Sequence, residues 1–151
     1  VNPKEALLWS IALPGFGQIL NGKYVKGFLF IFLEVVVNVQ ANFNQIIVFS
    51  FLGEIDKAIL HTNYQWLMFY PCVYFFAMWD AFKDAGGGKD KYASVPFVFC
   101  AYFVTVGLIF SYRMEIFGFL LGPMWLPILF VIPGLIVGVV VKKLLQKKAG
   151  F

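Results

Sequence analysis

What most constrains this chain is a succession of long apolar runs, with almost no stretch polar enough to cover a soluble core. The runs at residues 6–20, 27–38, 64–84, 92–112 and 117–141 are dominated by aliphatic and aromatic side chains. A helix needs roughly 20 such residues to cross a bilayer. The 151 residues therefore have room for four or five crossings and no sizeable extramembrane domain. Composition agrees: 61% hydrophobic, 20% aromatic and 13% charged, where soluble domains run at about 45–50% apolar and about 25% charged. A soluble enzyme, an independent nucleotide-binding domain and intrinsic disorder are excluded. The expected fold class is all-α, a polytopic membrane helix bundle of four to five membrane segments. It forms a single integral membrane domain over residues 1–151.

The first segment, 6–20, is short and carries Pro14-Gly15 in its middle, so it is expected to be broken or re-entrant. The second starts at Gly27 and runs to Asn38, with a continuation to Gln45. Gly27, Glu34, Asn38, Ala41 and Gln45 recur at helical spacing and mark one stripe. Residues 46–55 are apolar but too few to cross, and read as an interfacial or re-entrant piece. The third span, 64–84, carries Tyr64, Trp66 and Trp79 near its ends, where amphipathic rings favour head-group depth. It closes in Ala85-Gly86-Gly87-Gly88, which reads as a helix cap and a flexible loop. The last run contains Pro123, Pro127 and Pro133, which predict kinks. Gly118 with Gly122, and Gly134 with Gly138, have the four-residue spacing that brings two backbones together or leaves a low-volume surface. Cys72 and Cys100 would lie about 6 Å apart in depth on antiparallel neighbours, which disfavours a disulfide. They read as small core hydrophobes.

Charge orients the chain. If every segment crosses, Lys23, Lys26, Lys83, Lys89, Lys91, Lys142, Lys143, Lys147 and Lys148 share one side, nine against the three of Lys4, Lys57 and Arg113. If the first segment only dips in, Lys4 changes sides and the count becomes ten against two. Both put the glycine-rich loop and the C-terminus in the cytoplasm. The N-terminal run has no small-x-small cleavage site after it and reads as retained.

Glu34 is the one ionisable residue deep in an apolar run, where a charge costs several kcal/mol, about 2.5 to 3.5 for an aspartate or a basic residue at mid-helix. Two readings follow: a cation or proton site with Asn38 as a second oxygen ligand, or a structural carboxyl, neutral by protonation or hydrogen-bonded to Tyr70, Tyr74 or Tyr102. Asp80 and Asp84 share a helix face and form a candidate divalent site or a solvated, paired couple. His61 is the only histidine, so no His-based zinc cluster forms within the chain. No nucleophile or phosphate-loop motif is present; Gly86-Gly87-Gly88-Lys89-Asp90 lacks the leading glycine and the Ser/Thr. Lys142, Lys143, Lys147 and Lys148 form a juxtamembrane cluster that anchors the last helix at lipid head groups.

The stretch Leu13-Pro14-Gly15-Phe16-Gly17-Gln18-Ile19-Leu20-Asn21-Gly22-Lys23-Tyr24-Val25-Lys26-Gly27 resembles the signature of small prokaryotic membrane proteins related to the two-transmembrane-helix hairpin domain. In that signature Pro-Gly-x-Gly-Gln precedes Asn-Gly and Lys-Gly. Trp79-Asp80-Ala81-Phe82-Lys83-Asp84-Ala85 is similar to a second motif of the group, with phenylalanine in place of a frequent tyrosine. The resemblance covers roughly residues 6–85 and leaves the two further spans of 92–141 outside. It implies architecture and a prokaryotic cytoplasmic membrane, not an activity. Within the motif, the glycines suit a tight backbone excursion, and Gln18 and Asn21 are expected to satisfy amides freed at Pro14.

The expectation for function is a non-enzymatic accessory or scaffold subunit of a membrane complex, without a cofactor. Its expected partners are membrane lipids and another membrane protein or a second copy of itself; nucleic acid is not among them. The alternative is a small oligomeric transporter or channel with Glu34 in the path. An enzyme acting on lipid would have to draw its acids from Glu34, Asp80 and Asp84.

Overall fold

The computed structural model describes residues 2–150 and is mostly helical. Helix α1 (Pro3–Ala12) starts with Asn2 accepting from the Lys4 amide and Pro3 in the first turn. It ends because Pro14 drives Leu13 into an extended conformation (φ −156°). Gly15 then takes φ +105°, a region open to glycine at little cost, and the chain reverses into α2 (Phe16–Leu20). The reversal is complete: Gly17 lies back against Ala6 and Ser10 of α1. A second turn at Gly22 (φ +77°) leads into α3 (Tyr24–Ala41).

Helix α3 buries Gly27, Phe30, Glu34, Val37 and Ala41, a stripe at alternating three- and four-residue steps. The expected continuation to Gln45 does not occur. Asn42 adopts the left-handed conformation (φ +63°), ends the helix and starts α4 (Phe43–Phe51), leaving Gln45 exposed. Helix α4 doubles back through Gly53 into α5 (Ile55–His61). At about 13 Å, α4 is too short to cross, as residues 46–55 suggested.

The expected third span is two helices, α6 (Tyr64–Leu67) and α7 (Tyr70–Asp84), with a turn at Met68 and Phe69. Pro71 is the cause: it has no amide for the Leu67 carbonyl and suits only the first turn of a new helix. Helix α8 (Val95–Phe110) is followed by a two-stranded ribbon, β1 (Glu115–Ile116) against β2 (Phe119–Leu120), and by α9 (Gly122–Lys148). The ribbon corrects the reading of the last run. Gly118 sits in its turn (φ +80°) with nothing near it, so Gly118 and Gly122 are not a helix-packing pair. Gly134 and Gly138 are one, because a Cβ there would come within 3.1 Å of Cys100 Cα and 2.6 Å of Pro96 Cα on α8. Helix α9 continues unbroken through Pro127 and Pro133.

Ala41, Ile46, Ala58, Leu67 and Leu108 form the core where α3 to α6 meet the α8/α9 hairpin. Large apolar side chains also cover much of the outside. Val25, Phe32 and Val39 on α3 and Ile132, Ile136 and Leu144 on α9 are all exposed. Among the described residues two helices, α3 and α9, have the length and apolar composition to cross a membrane; α8 is apolar and shorter.

Candidate functional site

The two sequence motifs, some sixty residues apart, are bound to each other. Along α7, Tyr74, Ala77, Asp80, Ala81 and Asp84 face the α1/α2 hairpin and the start of α3. The Tyr74 hydroxyl donates to the Ile11 carbonyl. Gln18, fully buried, donates from Nε2 to the Ala77 carbonyl at 2.9 Å and to Asp80 Oδ2 at 3.1 Å. Asn21 donates to the Ala81 carbonyl at 2.9 Å. Lys26 then closes the array, with its Nζ 3.0 Å from Asp80 Oδ1 and 2.9 Å from Asp84 Oδ2.

The glycines make this approach possible. A Cβ on Gly17 would collide with Ser10 and come within 2.7 Å of Ala81 Cβ, so α1, α2 and α7 meet at a point with no room for a methyl group. Gly15 and Gly27 face each other across the α2/α3 reversal, where a Cβ on Gly27 would come within 3.0 Å of the Gly15 carbonyl. Pro14, Gly15, Gly17, Gln18, Asn21, Gly22, Lys26, Gly27 and Asp80 thus belong to one clasp. One expectation changes: Gln18 and Asn21 bind α7 rather than amides freed at Pro14. Of the two readings of Asp80 and Asp84 the structure has the paired couple, sharing the Lys26 ammonium group; no group of three metal-ligating side chains occurs among the described residues.

Glu34 lies about 12 Å further along α3 than Lys26. It is 6% exposed and its Oε2 has no hydrogen-bond partner. The Tyr70 hydroxyl and the Asn38 amide approach the carboxyl, and Tyr74 stands nearby. Tyr102 does not take part and is largely exposed. Asn38 also donates to Asn44 at 3.2 Å, tying α3 to α4. Behind Tyr70 and Tyr74 is a cavity of about 260 Å³, lined by Phe43, Phe75, Leu108 and Met124 among other apolar side chains.

At the opposite end the glycine-rich loop is packed rather than free. Gly87 lies on the Phe82 ring and Gly88 on the Trp79 ring, too close for a Cβ at either. Lys142 pairs with Asp90 at 3.6 Å and Gln146 donates to the Lys91 carbonyl at 2.9 Å, so α9 holds this loop. Of the basic cluster, Lys143, Lys147 and Lys148 are exposed while Lys142 is partly covered. His61 ends α5 against the Phe49 ring, with Nδ1 2.9 Å from the Lys57 carbonyl. Cys72 and Cys100 are both free thiols, the first exposed and the second buried. Sequence reasoning passed over Ala6 and Ser10, whose four-residue spacing of small side chains was the available signal for the face that receives Gly17.

Fold and site together define a mainly helical chain with an apolar exterior, whose N-terminal hairpin is tied internally by polar side chains. Comparison with known proteins found no family model, no curated protein and no solved structure that matches it.

Proposed function

We propose that this chain is a multi-pass protein of a prokaryotic cytoplasmic membrane, related to the two-transmembrane-helix hairpin group, and a non-enzymatic accessory or scaffold subunit of a membrane complex. In this reading α3, the α6–α7 pair, α8 and α9 cross, while α1/α2 and α4/α5 are hairpins of partial depth. Because α2 doubles back along α1, with Gly17 beside Ser10 and Ala6, this reading puts Lys4 with Lys23 and Lys26. The charge count is then ten against two, which favours a cytoplasmic C-terminus. Lys143, Lys147 and Lys148 then meet lipid head groups.

The observation that carries the scaffold reading is where the polar side chains go. Gln18, Asn21, Lys26, Asp80 and Asp84 are all engaged within the chain, so the motif acts as a rigid frame. The apolar outer faces of α3 and α9 are what remains to meet lipid or another membrane protein. The test is gentle extraction of the tagged protein from its own membrane into lipid discs, with particle mass measured and co-purifying chains identified. A second protein at fixed stoichiometry is the expected result. A functional protein that carries no partner in native membranes refutes it.

A second reading is favoured by one observation, the buried Glu34 carboxyl with an unpartnered oxygen beside Tyr70 and Asn38. It makes the chain a small oligomeric transporter or channel for an ion or small solute. In that case the discs hold a homo-oligomer alone, and Glu34→Gln abolishes flux without affecting insertion. Unchanged flux removes Glu34 from the path.

A further inference from the structure

Helices α3 and α8 both lie on α7 but leave a groove between them. Its volume is about 840 Å³, with Leu29 and Leu33 on one wall, Ala101 and Thr105 on the other, and Phe76 and Trp79 on the floor. Along α8 the groove runs from Ser94, which precedes the first turn, to Thr105, about 16 Å at the helical rise. That is half of the roughly 30 Å hydrocarbon core. A partner's transmembrane helix would need a seat of full depth, whereas this one has the depth of a single leaflet.

Two lysines stand at the Trp79 end of the groove. Lys83 stands one helical turn beyond Trp79 on the same face of α7, and Lys89 lies in the loop that rests on the Trp79 ring through Gly88; both lysines are exposed. We infer that the groove holds one acyl chain of an anionic glycerophospholipid of the cytoplasmic leaflet, its phosphate against Lys83 and Lys89. The inference rests on the multi-pass reading above, which puts this end of the bundle at the cytoplasmic surface, where anionic lipids concentrate. The ligand is distinct from the bulk lipid around α9 in having a walled site and a charge preference.

The test is native mass spectrometry of the full chain released from vesicles of equimolar phosphatidylglycerol and phosphatidylethanolamine, with flotation of the same vesicles as the measure of insertion. One phosphatidylglycerol should stay with each chain, in at least fivefold excess over phosphatidylethanolamine, since a single lysine near an anionic surface favours binding by roughly fivefold. The Lys83→Gln/Lys89→Gln double variant should bring that ratio close to one. Ala101→Trp should fill the groove and release the lipid while flotation stays unchanged. Equal retention of the two lipids by the unaltered chain overturns the inference, as does retention that neither variant alters. A chain that does not float overturns the membrane reading and the lipid site together, whereas one that floats without head-group preference overturns the lipid site alone.

Discussion

Replacing Gly17 by alanine sets two physical effects of opposite sign against each other. Gly17 has helical backbone geometry within α2 (Phe16–Leu20), and on propensity alone alanine stabilises a helix by about 1 kcal/mol relative to glycine. The new methyl group, however, would lie 2.5 Å from the Ala6 carbonyl oxygen and 2.7 Å from Ala81 Cβ, besides colliding with the Ser10 hydroxyl. Two of those obstacles are fixed to helix backbones, so neither can swing aside as the end of a flexible side chain would. Overpacking of this kind costs about 1–3 kcal/mol, and separating α2 from α7 also stretches the Gln18 and Asn21 hydrogen bonds, at about 1 kcal/mol each. The net expectation is a loss of about 3 kcal/mol, which for a chain of this size lowers Tm by about 6–12 °C. The assay is thermal unfolding of the purified protein in a fixed mild detergent. Gly22→Ala is the control, since nothing lies within 4 Å of that position and only its φ of +77° opposes the methyl. Gly17→Ala should be the more destabilised of the two. A Tm equal to or above that of the unaltered protein would show that α1, α2 and α7 do not meet at Gly17, and would refute the packing argument for the whole motif.

Three further outcomes follow from the same geometry. Lys26→Met removes the cation shared by Asp80 and Asp84 and should cost about 1 kcal/mol, the ammonium group being half-exposed; Lys26→Arg should recover most of it in the same melt, and an unchanged Lys26→Met protein would place the two carboxylates elsewhere. Gly138→Val drives side-chain atoms into Pro96 on α8 and should disrupt the α8/α9 hairpin, read as loss of the monodisperse species on size exclusion; a monodisperse variant of normal Tm would rule that contact out. A small membrane-permeant maleimide should label Cys72, which is exposed, at least tenfold faster than the buried Cys100, and equal rates would contradict the arrangement of α7 and α8.

Much of the fold was legible because it follows from local rules. The break at Pro14-Gly15 is dictated by the missing amide and by the only residue type that takes φ of +105° without strain. Residues 46–55 are too few to cross, whatever they pack against. The split of 64–84 into α6 and α7 was less visible, because hydropathy runs on unchanged through Met68 and Phe69 and only Pro71 marks the interruption. The ribbon at Glu115–Leu120 was hidden for a similar reason: strands two residues long have no period to distinguish them from the start of a helix.

By itself the sequence determined how apolar the helices are and the places where the backbone must turn, since hydropathy, proline and glycine act through their own residues. The motif residues could be named, and their partners could not. Gln18 was expected to serve amides near Pro14, and instead it reaches Ala77 and Asp80, because the α1/α2 reversal lays it against α7. The same holds for Lys142, a lipid anchor by composition that became a partner of Asp90 once α9 came to rest on the glycine-rich loop. Which polar group meets which across some sixty residues is a property of helix packing, and helix packing is set by close contacts such as those at Gly17, Gly27 and Gly138, whose partners no local pattern names.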